Sequence, residues 1–176
     1  MGNRTPVGRT PADMATPSDL DKAGVEKITT ALNVILADAF ALYVKTKNFH
    51  WHLTGPHFRD YHVMLDEQAD QIFATIDPLA ERVRKIGGTT LRSISHISKL
   101  QTLKDSEALR VLPLDMLKEL LADNKSAATA MREAHALCDE NEDVATASLL
   151  EIYIDETERR TWFLFESSRE ADSTGH

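Results

Sequence analysis

Apolar residues at Ile28, Leu32, Ile35, Ala39 and Leu42, continued by Thr46, recur every three or four positions. That spacing lines one face of an α-helix, because about 3.6 residues complete a turn. It predicts a first helix capped by Ser18 or Asp19, whose short oxygen side chains suit orphan amides, and ending near Lys47 or Phe49. Leu53-Thr54-Gly55-Pro56 reads as a turn. A second helix is predicted from about Phe58 to Ile86, closed by Gly87-Gly88 with Lys85 in its last turn. Pro78 falls inside it, where a missing amide and a ring clash cost about 3 kcal/mol in an unsupported helix. A kink is expected there; the competing reading breaks the helix at Asp77.

Residues 89–112 form a connection longer than a bundle turn needs, so it is expected to cross or cover the bundle. A short helix is predicted within it near Ser95 to Leu100. A third helix begins near Pro113, a residue favoured at a first helical position, with Leu117, Leu121, Asn124, Ala128, Met131, His135 and Cys138 as one stripe. Asp139-Glu140-Asn141-Glu142-Asp143 makes the next turn, and a fourth helix runs from about Val144 to Ser168, with Leu149, Ile152, Trp162, Phe163 and Phe165 among its apolar residues. The expected architecture is all-α, a four-helix bundle over residues 18–170, between a flexible tail at 1–17 and a frayed end at 171–176.

Composition narrows the class. A chain of 176 residues supports one sizeable core, and 42% hydrophobic with 27% charged residues is ordinary for a soluble domain. The apolar runs are short and amphipathic, which argues against a membrane span, and the residues after Met1 lack the apolar stretch of a signal peptide. The one cysteine, Cys138, has no intrachain disulfide partner; it reads as a small apolar core residue in a cytoplasmic protein. The net charge of −8 repels nucleic acid and attracts cations.

The candidate chemistry lies between His50 and Glu81. Four of the seven histidines, His50, His52, His57 and His62, fall within thirteen residues; His52 and His57 read as solvated turn residues. On the second helix His62 and Asp66 stand four apart on one face, and Asp77 and Glu81 repeat that spacing. Ala69, Phe73, Ile76 and Ala80 accompany them, so the face is expected to be buried against something, and buried carboxylates need partners or a metal. Two imidazoles and three carboxylates suit iron, manganese or zinc. No Glu-x-x-His occurs, so the usual intrachain di-iron ligand set of helical bundles is absent. The two ligand pairs are roughly 16 Å apart along the helix, too far to share one ion. Either they are unrelated half-sites, or a second copy of the helix completes each. Antiparallel pairing of two copies would bring His62 and Asp66 against Asp77 and Glu81 about an axis near residues 71 and 72, with His50 joining from the first helix and Asp70 and Phe73 near the axis.

His50-Trp51-x-Leu53-x-Gly55, His62-x-x-x-Asp66 and Asp77-x-x-Ala80-Glu81-Arg82 resemble the Dps family (DNA-binding protein from starved cells), the miniferritins. Compatible segments run from about residue 25 to Glu166; Tyr61 and Pro78 depart from the pattern. The resemblance implies a ferritin-like four-helix bundle with a short helix in its middle connection, assembled as a hollow dodecamer. It implies dinuclear iron sites at two-fold interfaces, with His50, His62 and Asp66 from one subunit, Asp77 and Glu81 from the other, and Trp51 beside them. The implied activity is ferroxidase: oxidation of Fe(II), preferably by hydrogen peroxide, with ferric mineral stored in the shell. Asp139, Glu140, Glu142 and Asp143 are read either as an acidic iron entry or as a solvated turn, and Glu67 and Asp70 as mineral-nucleation candidates. DNA compaction, at the bacterial nucleoid, is the alternative function. The first seventeen residues offer it two Arg and no Lys.

Overall fold

The structure, a computed structural model, describes residues 15–169. Residues 1–14 of the expected tail, residue 170 at the end of the expected bundle and the expected frayed end at 171–176 lie outside the described residues. Five helices follow in order: α1 Lys22–His52, α2 Phe58–Lys85, α3 Ile94–Leu100, α4 Pro113–Glu140 and α5 Val144–Ser167. The four long helices form the expected bundle and α3 is the expected short helix of the middle connection. α1 packs on both α2 and α4, α4 packs on α5, and α2 touches α5 only slightly. Leu32 and Leu36 of α1, Leu65 and Leu79 of α2, Leu117 and Leu120 of α4, and Leu150 and Leu164 of α5 are fully buried between them. Removing that apolar surface from water is the main force holding the bundle closed. By length and composition α1 could cross a membrane, but half of that apolar window is buried inside the bundle, as befits a core helix.

Local differences from expectation have identifiable causes. Asp21, not Ser18 or Asp19, caps α1, its carboxylate accepting from the amides of Ala23 (2.9 Å) and Gly24 (3.1 Å). Ser18 instead accepts from Leu20 N in the preceding turn. Gly24 is required by contact: a Cβ there would lie 2.5 Å from Asn141 Oδ1, where the start of α1 meets the α4–α5 turn. Thr16 and Pro17, expected in the flexible tail, share a cavity wall with Gly87 and Gly88, and a Cβ on Gly87 would meet the Thr16 carbonyl at 2.9 Å. Gly87 has φ +96°, the left-handed conformation that ends α2.

α2 continues through Pro78, which excludes the reading that breaks it at Asp77. The carbonyl that loses its donor belongs to exposed Ala74, where water can replace the bond, while buried Ile76, Leu79 and Val83 hold the surrounding turns. The middle connection runs along α1 rather than standing free. Asn33 donates to Thr89 O and accepts from Thr90 Oγ1, both at 2.9 Å; Asp38 accepts from Thr102 N, Thr102 Oγ1 and Leu103 N; Asn48 donates to Ser106 O. These three polar residues of α1 satisfy backbone groups that a long loop would otherwise leave unpaired. On α4 the buried stripe includes Met116, Leu120 and Ala134, with Leu121 and His135 at its edge. On α5, Ile152, Trp162, Phe163 and Phe165 are exposed.

Candidate metal centre

His50 ends α1 and His62 lies in the second turn of α2, so the Leu53–His57 turn brings them face to face. Their rings stack with centroids 3.7 Å apart and 20° between planes, and Phe58 stacks on the other face of His62 at 4.9 Å. Each Nδ1 meets the other residue's backbone oxygen: His50 Nδ1 at 2.8 Å from His62 O, and His62 Nδ1 at 3.0 Å from His50 O. A carbonyl only accepts, so both Nδ1 atoms carry the hydrogen, and Nε2 is the nitrogen that each ring keeps for a metal. That arrangement fixes tautomer and orientation for a metal ligand. His50 Nε2 lies 3.7 Å from Asp66 Oδ1, one helical turn beyond His62.

Lys47, missed in the sequence reading, completes this half of the site. Its ammonium lies 2.5 Å from Asp66 Oδ1 and 3.7 Å from Asp70 Oδ1. The hydrogen bond from Lys47 holds the Asp66 carboxyl below its usual range and correspondingly raises the Lys47 ammonium. The available signal was spacing: Lys47 stands three residues before His50, on the same flank of α1. Replacing Lys47 with Met should raise the Asp66 carboxyl midpoint toward the ordinary aspartate range in an NMR titration. Because folding depresses this carboxyl, the pair stabilises the chain above the unfolded value, and that contribution is lost as pH falls through the folded one. An unchanged midpoint would reject the pairing.

Asp77 and Glu81 stand apart from this cluster, on an exposed face further along α2, with Glu81 Oε2 2.9 Å from Lys85 Nζ. Of the four residues expected to share their face, Ala69 and Ile76 are corrected. Those two belong to the adjoining stripe, with Ile72, Leu79 and Val83, in the chain's own core. Ala80 is half-buried and Phe73 is 56% exposed. The outward stripe of α2 is therefore His62, Asp66, Asp70, Phe73, Asp77 and Glu81, with the Tyr43 ring 5.1 Å from Phe73. Among the described residues, no three His, Cys, Asp or Glu side chains of one chain gather into a metal-holding group. Trp51 is 65% exposed beside His50. His52 and His57 are also exposed, His52 Nδ1 being bound to Asn48 O.

The acidic turn divides. Asp139 sits 3.2 Å from His135 Nδ1, and Glu140 and Glu142 are exposed, Glu142 with φ +59°. Asp143 is only 2% exposed: it caps α5 through Thr146 N and is paired with the Arg82 guanidinium, which also donates to Thr146 Oγ1. It cannot line an entry with the other three, because its carboxylate points inward to meet those donors. Cys138 beside it is buried, and burial pushes its thiol up to about 12. That leaves it an inert core residue. The nucleation candidates face different neighbours: Glu67 lines a shallow groove with Arg159 and Phe163 of α5, whereas Asp70 approaches Lys47 of α1.

Residues 29–168 match the ferritin-like domain. A DNA protection during starvation protein of Agrobacterium fabrum is 32% identical over 149 residues, covering 85% of this chain and 92% of that protein. The crystal structure of an archaeal Dps homologue from Halobacterium salinarum superposes with a TM-score of 0.86 at 26% identity, over 97% of this chain and 96% of that one. The Dps protein of Vibrio cholerae, described as a member of the ferritin-like diiron-carboxylate superfamily, gives 0.82 at 27% identity over 89% and 98% of the two chains. Bundle order, the short helix in the middle connection and these relatives agree: the chain belongs to the Dps family of ferritin-like miniferritins.

Proposed function

We propose that two copies of the chain pair antiparallel through the outward stripe of α2 and form two equivalent iron-oxidation sites per dimer. The observation that carries this reading is the stacked pair of His50 and His62, each ring anchored through Nδ1, at one end of an α2 stripe that also carries three solvent-facing carboxylates too far apart to act together in one chain. His50, His62 and Asp66 of one copy would meet Asp77 and Glu81 of the other, as a two-fold interface requires. Exposed Phe73 near the axis would supply apolar contact. Fe(II) is the substrate: two ferrous ions each lose one electron, and with two protons those electrons reduce one hydrogen peroxide to two waters. The imidazoles and carboxylates hold both substrate ions and favour the ferric product, while Asp66 exchanges its bond to Lys47 for the metal. Trp51, exposed beside His50, would accept stray oxidising equivalents from the site. Assembly as a hollow dodecamer would store the ferric mineral and remove iron that would otherwise damage DNA. The exposed Asp139, Glu140 and Glu142 would attract Fe(II) at an entry.

Stopped-flow oxidation of Fe(II) tests the activity. The wild-type protein should react faster with hydrogen peroxide than with oxygen. The Asp77→Asn, Glu81→Gln double variant should lose on the order of a hundredfold in rate, as expected when metal affinity is removed. Equal rates for wild type and variant would reject the enzyme reading.

A further inference from the structure

At mid-bundle every long helix contributes a buried polar side chain: Asp38 from α1, Thr75 from α2, Asn124 from α4, and Thr157 and Arg160 from α5. Arg160 is 3% exposed, its guanidinium donating from Nε to Asn124 Oδ1 at 3.0 Å and from one terminal nitrogen to Thr157 Oγ1 at 2.6 Å. Its other terminal nitrogen, Nη1, has no protein partner. A buried donor left unpaired on a charged group is costly, and natural cores seldom keep one without a bound molecule. Arg160 lines two cavities of about 20 Å³: one toward Glu67 and Gln68, and one shared with Asp38 and Thr75 and otherwise walled by apolar side chains such as Ile35, Ile72 and Met131.

We infer that the second cavity is a binding site for one ordered water molecule that links α5 to α1 and α2 through Arg160, Asp38 and Thr75. Size permits a single water, since one needs roughly 10–15 Å³. Hydrogen-bond polarity selects water over an anion. Arg160 Nη1 can only donate. Thr75 has already committed its hydroxyl hydrogen to Ile72 O at 2.8 Å, so toward the cavity it can only accept. Asp38 is a carboxylate and also only accepts. A water accepts from Arg160 and donates to both oxygens, whereas a halide would meet two acceptors and the repulsion of Asp38. The site matters to the bundle because Asp38 also holds the middle connection at Thr102 and Leu103. The same water would therefore couple α5 to that connection.

High-resolution crystal structures of the assembled protein, grown with and without bromide, test this. The expected result is one full-occupancy solvent peak within hydrogen-bonding distance of Arg160 Nη1, with no anomalous signal from bromide. An Arg160→Met variant should lose that peak. Oxygen-17 relaxation dispersion gives an independent measurement: the wild type should show one more long-lived water per chain than the variant. A dry cavity, a bromide peak, or the same water count in both proteins would overturn the assignment. Arg160 is outside the proposed metal centre, so iron oxidation by the wild type reads on that centre alone.

Discussion

Mixing two inactive variants should restore about a quarter of the wild-type sites, the fraction expected for random two-fold pairing of half-sites. One variant carries His62→Ala and the other Asp77→Asn with Glu81→Gln; each alone should oxidise Fe(II) at the background rate. After the subunits are dissociated and reassembled together, half of the dimers contain one chain of each kind. In such a dimer one site carries both lesions. The other combines the intact His50, His62 and Asp66 of the second variant with the intact Asp77 and Glu81 of the first. A site held within one chain gives no recovery at any mixing ratio. The experiment thus reads the architecture directly, with recovery plotted against mixing ratio and assembly checked by size. No recovery in correctly assembled particles would sink the shared-site model.

The second large effect concerns stability. Asp143→Ala should destabilise the protein by about 3 kcal/mol, the lower end for breaking a buried ion pair, because Arg82 retains some solvent contact. The substitution removes the cap on Thr146 N and leaves the Arg82 guanidinium facing an empty site. Glu142→Gln, two positions from Glu140 in the same acidic turn, should change stability by less than about 0.5 kcal/mol, because its side chain is exposed. Urea midpoints for the two variants, compared with wild type, decide the matter. Equal midpoints would mean that Asp143 is no more structural than its neighbours. The contrast also separates Asp143 from any role in iron entry, since that role would belong to the exposed acids.

The helices themselves were legible along the chain. A 3-4 apolar spacing survives any tertiary context that buries one face, so α1, α2, α4 and α5 appear within a few residues of their predicted ends. The same periodicity identified His62 with Asp66 and Asp77 with Glu81 as co-facial pairs, and helix rise alone forbade one chain from joining them. Which face those pairs share with the core was not legible. Ala69 and Ile76 lie close enough in sequence to Asp77 to suggest a common buried face, but at roughly 100° per residue they stand about a quarter of a turn round the helix from it, on the flank that meets the core.

Capping and pairing also lay beyond the sequence. Several oxygen side chains stand near the start of α1, and only the folded chain shows that Asp21 is the one that meets the Ala23 and Gly24 amides. Lys47 and Asp66 are nineteen residues apart, and Arg82 and Asp143 sixty-one; nothing local marks either as a pair. Sequence by itself determined what helices form, which ligand types they carry and that one helix cannot close a site. Tertiary structure decided which carboxylates remain available: Asp66 held at the surface by Lys47, Asp77 and Glu81 facing outward, and Asp143 withdrawn into the core. The physical reason is that helix periodicity is a property of neighbouring residues, whereas burial and charge pairing depend on which distant segments pack together.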